Sequence, residues 1–189
     1  MPWIGGNRYL SQSEMENNAV IIWNYLGSKG WTVNAVAAIL GNMQSESTIN
    51  PNIWESLKVD YSRGYGLTQW TPATKYIDWA GADYMNGDRE LDRILYEVEN
   101  GLQWFANPNA PTVNPPITFR EFTTSTEPPA TLANYFLWYY EHPAVTIQPA
   151  RAEQAIKWYE FLSGKPPEPP TPTPRKQGKL PIWAYCRLF

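Results

Sequence analysis

The feature that most constrains this chain is the run from Gly41 to Trp70, GNMQSESTINPNIWESLKVDYSRGYGLTQW. An apolar helical stripe (Val33, Val36, Ala37, Leu40, Met43) leads directly into Gln44-Ser45-Glu46-Ser47. About twenty residues later comes Gly64-Tyr65-Gly66-Leu67-Thr68-Gln69-Trp70. The stripe repeats at helical spacing, so Glu46 falls in the closing turn of a helix whose other face is core. A carboxyl there borders apolar side chains and meets the negative end of the helix dipole, and both conditions favour its neutral form. Such a position is poor for stability and suited to an acid. The downstream segment supplies glycines that let backbone approach a ligand, an amide at Gln69 that both donates and accepts, and the rings of Tyr65 and Trp70.

Composition removes the main competing chemistries. One cysteine, Cys186, and one histidine, His142, rule out an internal disulfide framework and a thiolate cluster, and leave zinc too few ligands. No metal or other cofactor is therefore expected. A cysteine peptidase built from Cys186 and His142 is all but excluded, because Cys186 lies beyond a stiff proline-rich stretch. A net charge of -3 argues against nucleic acid. No segment approaches the roughly eighteen apolar residues of a membrane span. Aromatics form 15 % of the chain, with Trp 10 and Tyr 12, and beyond core packing they suit stacking on neutral sugars.

In chain order, residues 1–10 read as an irregular lead-in. Ser11 and Glu14 form a capping box with Leu10 and Met15 as a staple, starting a helix that Gly27 and Gly30 close. Thr32 opens the second helix, and Asn50-Pro51 stops the chain beyond it. A short β-hairpin is expected around Tyr61 to Trp70. Thr71-Pro72 reads as a helix start. The strongest helical periodicity covers 88–104, with Asp88 as cap and Leu91, Ile94, Leu95, Val98 and Leu102 inward. Residues 106–117, with four prolines, read as a loop, and 118–122 as one helical turn. Helices follow from Thr126 to His142-Pro143 and over about 149–162, the last burying Ala152, Ala155, Ile156, Tyr159 and Leu162. The fold class is thus mainly α, with a small hairpin lining a cleft. The expected domain covers 1–164, a polyproline-like linker 165–175, and a basic, apolar-ended tail 176–189.

At GNMQSESTINP and GYGLTQWTPA the chain resembles the phage tail lysozyme family, peptidoglycan-degrading domains at the tail tips of phages that infect Gram-positive bacteria. The likeness extends over roughly residues 8–163. It implies a lysozyme-like α+β fold, with Glu46 at the family's catalytic glutamate and Gln69 in its Gly-x-x-Gln-Trp wall. Close relatives continue through a linker into a metallopeptidase domain, a pattern this chain leaves after Pro174.

Glycosidic cleavage needs a proton delivered to the leaving oxygen, and Glu46 is the candidate acid. For a second carboxylate Asp60 comes first, ahead of Asp78 and Glu141. Gln69, Tyr65, Gly66, Trp70 and Glu141 are the candidate substrate-binding residues. The expected substrate is bacterial peptidoglycan, cut between N-acetylmuramic acid and N-acetylglucosamine. A lytic transglycosylase with the same glutamate and a non-catalytic glycan-binding tail protein are the alternatives. The opening MPWIGGNRYLSQSEMEN lacks the basic start and apolar run of a secretion signal. The expectation is therefore carriage in a virion, with the tail docking to phage tail proteins and local degradation of the host wall.

Overall fold

The computed structural model describes residues 1–165. The linker beyond Lys165 and the 176–189 tail lie outside the described residues. The elements in order are α1 (Gln12–Gly27), α2 (Val33–Ser47), a 3-10 turn (Glu55–Leu57), α3 (Thr74–Ala80), a second 3-10 turn (Gly81–Asp83), α4 (Gly87–Asn100), α5 (Phe119–Thr124), α6 (Pro129–Phe136), a π-helical turn (Leu137–Glu141) and α7 (Pro149–Leu162).

Helix α2 is the axis of the molecule. Thr32 caps it, its side chain accepting the Ala35 N–H at 3.1 Å. Every residue from Ala35 to Met43 is buried, so this helix is wrapped on all sides. α7, α6 and α1 pack around it. Its end differs from the sequence expectation. Asn50-Pro51 does not stop it; Thr48 and Ile49, both at φ 54, reverse the chain, and the Ile49 N–H donates to the Met43 carbonyl at 3.2 Å. The polar residues just beyond then tie down the lead-in. Thr48 Oγ1 accepts the Leu10 N–H at 2.9 Å, and Asn50 Nδ2 donates to the Gly6 and Arg8 carbonyls. Residues 1–10 are therefore bound to the domain's surface by specific polar contacts.

Other expectations shift by a turn or less. Asn86, not Asp88, caps α4, accepting the Asp88 N–H at 3.0 Å. Gly101 in the left-handed region ends that helix early, which leaves Leu102 outside it and 40 % exposed. Thr71-Pro72 is not a helix start; α3 begins at Thr74. On α7 the buried stripe is Arg151, Ala155, Trp158 and Leu162, and Ile156 is exposed. The capping boxes at Ser11 and Thr118 both form, with Glu14 and Glu121 accepting the cap residues' backbone N–H groups.

The hairpin over Tyr61 to Trp70 does not form. Two isolated antiparallel bridges, Trp54 to Tyr65 and Tyr65 to Trp70, stand in its place. The segment is too full of turns to pair continuously: Gly66 lies at φ 80 and Gln69 at φ 51. Side chains hold it instead. Glu90 of α4, fully buried, accepts the Leu67 N–H at 2.6 Å, and Ser47 Oγ donates to the Leu67 carbonyl at 2.9 Å. A side chain at Gly66 would meet Glu90 Oε2 at 2.5 Å, so glycine is needed for space as well as for backbone angle.

A Cβ on Gly41 would stand 2.5 Å from the Arg151 carbonyl and 2.8 Å from the Ala155 N, backbone atoms that cannot move aside. Gly→Ala inside an exposed helix gains up to about 1 kcal/mol in propensity. Gly41→Ala should instead lose about 1–3 kcal/mol through overpacking, read as a drop in Tm of roughly 2–12 °C; an increase would refute the close helix contact. Burial holds Glu90 well above its ordinary value near 4.5, so the folded state keeps a proton that the unfolded state releases once pH passes that value. Stability therefore falls as pH rises from there toward the folded pKa. Glu90→Gln preserves an acceptor for Leu67 and should flatten that decline in a Tm-against-pH series; parallel curves would show that Glu90 does not cause it.

Candidate functional site

The closing turn of α2 and the glycine segment meet through the Ser47–Leu67 hydrogen bond, one residue from Glu46. Glu46 and Gln69 consequently line one open cleft of about 390 Å³ together with Tyr9, Ile53, Trp54 and Glu141. α2 brings Glu46, the 64–70 wall brings Gln69, and the π turn after α6 brings Glu141. The π turn and His142 in the left-handed region (φ 51) end the α6 rod at the cleft.

Glu46 is not the desolvated carboxyl that its place behind an apolar stripe suggests. Its side chain is 23 % exposed and forms an ion pair with Arg151 Nη2. Arg151 is itself nearly buried and fully engaged: Nε donates to Gln148 Oε1 at 2.7 Å and Nη1 to Asn42 Oδ1 at 3.2 Å. Asn42, buried in α2, donates in turn to the Ala38 and Ala133 carbonyls, both at 3.0 Å. α2, α6 and α7 thus join in one polar hub that fixes the guanidinium against Glu46.

The proton-holding carboxyl of the cleft is Glu141. Its Oε1 is buried without a hydrogen-bond partner. Burial first, and the neighbouring Glu46 charge second, push its pKa well above the ordinary carboxylate range, against the pull of Arg151. Behind it lies a buried brace. Glu97 accepts from Trp70 Nε1 at 3.1 Å, from Arg93 Nε at 2.8 Å and from Tyr140 OH at 2.7 Å. That carboxylate links the wall at Trp70 to the turn that carries Glu141.

The remaining candidates divide. Asp60 does not line the cleft: its carboxylate accepts from the Ser62 N–H and hydroxyl, bonds that lower its pKa, and sits 3.5 Å from Arg63 Nε. Asp78 is exposed on α3. Tyr65 and Trp70 are buried at 1 % and 3 % and pack against Tyr76, so their rings support the wall from within. Gly66 lies against Glu90, behind the same wall. Gln69 reaches the cleft, but its Nε2 donates to the Gly66 carbonyl at 2.9 Å, which fixes the amide and commits its donor.

Sequence reasoning missed Arg151 and Asn42. The signal was there for Arg151, because it occupies the first position of the α7 stripe that Ala155, Trp158 and Leu162 continue. A guanidinium at a core position of a helix needs a buried partner. The π turn left no such trace.

No helix among the described residues is long and apolar enough to cross a membrane. Compared with known proteins, the chain is 49 % identical over 163 residues to Morphogenesis protein 1 of Bacillus phage B103, a match covering 84 % of this chain and 43 % of that protein. It therefore spans less than half the length of the curated relative it matches. The family model described as phage tail lysozyme matches residues 17–162, which include Glu46, Gln69, Glu141 and Arg151. The chain belongs to the phage tail lysozyme family.

Proposed function

We propose that the chain cleaves the glycan strand of bacterial peptidoglycan between N-acetylmuramic acid and N-acetylglucosamine, with Glu46 as the acid and Glu141 as the second carboxyl of the site. The observation that carries this reading is the pairing, at one open cleft, of two glutamates in unlike surroundings. Carboxyls so placed divide the labour of glycoside cleavage, because their environments separate their protonation states. At rest the pair holds one proton, on Glu141, and Glu46, open to the cleft beside Arg151, takes it over and passes it to the leaving oxygen as the C1–O bond breaks. Arg151 then stabilises the carboxylate left behind. Glu141, whose pKa burial and the Glu46 charge push upward, keeps a second negative charge out of the resting site, where two like charges would repel. Water adding at C1 returns its proton to the carboxyl pair, which restores the resting state and completes hydrolysis.

The relatives support a location in the phage particle. The matched family is described as phage tail lysozyme and the matched relative as a morphogenesis protein, which supports an enzyme carried in the phage particle that thins the host wall locally. The role of the 176–189 tail in docking to other tail proteins rests on its sequence.

Glu46→Gln, which keeps an acceptor for Arg151 but removes its counter-charge, should lower cleavage of purified peptidoglycan by roughly 10²–10⁴-fold while the chain stays folded. Retention of more than a tenth of wild-type activity would overturn the assignment. Mass spectrometry of the products reads the reaction type: reducing muramic ends support hydrolysis, whereas anhydro-muramic ends would replace it with transglycosylation. Binding without any release of ends would make the chain a glycan-binding protein. Because Glu141 ionises only as pH rises, wild-type activity should fall toward alkaline pH, and the profile of Glu141→Gln should lack that fall; an unchanged alkaline limb would remove Glu141 from the site.

A further inference from the structure

The rings expected to stack on sugar, Tyr65 and Trp70, are core. Two other aromatics stand free at the cleft. Tyr9 is 61 % exposed and lines the half that holds Glu46. Phe105 is 51 % exposed and lines a second hollow of about 260 Å³ with Gln103, His142 and Lys75. The two hollows adjoin, sharing Gln69, Thr71 and Glu141, with Glu46 in the first of them.

Resting on the glycan-cleaving reading above, we propose that the groove holds its strand on an aromatic platform at each end, Tyr9 at one and Phe105 at the other. Sugars on both sides of the cut bond are then gripped by stacking. Both rings are presented by fixed backbone. On either side of Tyr9, the Arg8 carbonyl accepts from Asn50 Nδ2 at 2.6 Å and the Leu10 N–H donates to Thr48 Oγ1 at 2.9 Å. The Phe105 N–H donates to the Tyr139 carbonyl at 3.2 Å, and its ring stacks on His142 with centroids 4.5 Å apart. Burial lowers the pKa of His142, which keeps that ring neutral at pH 7. An exposed aromatic held in place this way offers a flat apolar face at little entropic cost, which suits the C–H face of a pyranose.

Charge selects the glycan over the acidic stem peptide. The Tyr9 half is lined by Glu46 and Glu55, which repel carboxylates, and Gln69, Thr71 and Gln103 offer neutral hydrogen-bonding groups along the groove. Among the described residues that line the groove, Lys75 at the Phe105 end is the side chain that favours an anion.

The test uses the Glu46→Gln chain as a binding protein, with calorimetric titration of peptide-free N-acetylglucosamine hexamer. Adding Tyr9→Ala or Phe105→Ala should each weaken hexamer binding about five- to tenfold, as loss of an aromatic anchor does. Tyr9→Phe and Phe105→Tyr should restore it, and a disaccharide should respond to no more than one of the two alanine changes. In the active chain the same alanine substitutions should raise KM more than they lower kcat. Hexamer affinity within twofold of the parent for both alanine variants would overturn the platforms, as would loss of affinity for stem peptide alone. The outcomes are separable: an active Glu46→Gln chain defeats the catalytic reading, and unaltered glycan binding defeats only the platforms.

Discussion

The site depends on the contact between α2 and α7 at Gly41. From Ala35 to Met43 α2 has no solvent face on which a charge can rest, and glycine at position 41 lets the α7 backbone approach to where a side chain would collide. Only because the helices lie so close does Arg151 reach Asn42 and Glu46 at once. A guanidinium taken out of water is tolerable when each of its N–H directions finds an acceptor, and Gln148, Asn42 and Glu46 supply them. Packing and electrostatics are here one constraint. Any change that parts the helices also loosens the ion pair.

The cleft gains its chemistry from contrast between its two sides. Glu46 sits where solvent enters, with a cation beside it, and Glu141 sits where one oxygen has no partner. Neither residue alone gives a site two protonation states. The contrast is maintained by buried polar braces outside the cleft: Glu90 under the Leu67 turn, and Glu97 between Trp70 and Tyr140. Glu90 takes a backbone N–H that a regular hairpin would have paired and Glu97 anchors the Trp70 ring, and this is why an irregular wall can hold Gln69 at a fixed place.

Much of the fold was legible from local rules. Caps at Ser11 and Thr32, the helical turn at 118–122, the stripe of α2 and the span of α7 are consequences of side chains within a few residues of one another. Errors arose where tertiary partners override a local preference. Ile156 satisfies helical spacing yet faces outward, because Arg151 and Trp158 take the stripe toward α2. The hairpin expected from Tyr61 to Trp70 gave way to turns tied by Glu90 and Ser47. Asp60 looked available and is instead engaged by Ser62 and Arg63.

By itself the sequence determined that a helix-borne glutamate at position 46 would be joined to a Gly-Gln-Trp segment in a mainly helical chain without metal-ligand or disulfide patterns, since periodicity, residue counts and glycine spacing are properties of the chain alone. The tertiary structure decided which carboxyl keeps its proton, which rings face the groove, and which cation stands beside Glu46. Those properties depend on burial and on partners tens of residues away, such as Arg151 for Glu46, and no local pattern records distances between parts of the chain that meet only after folding.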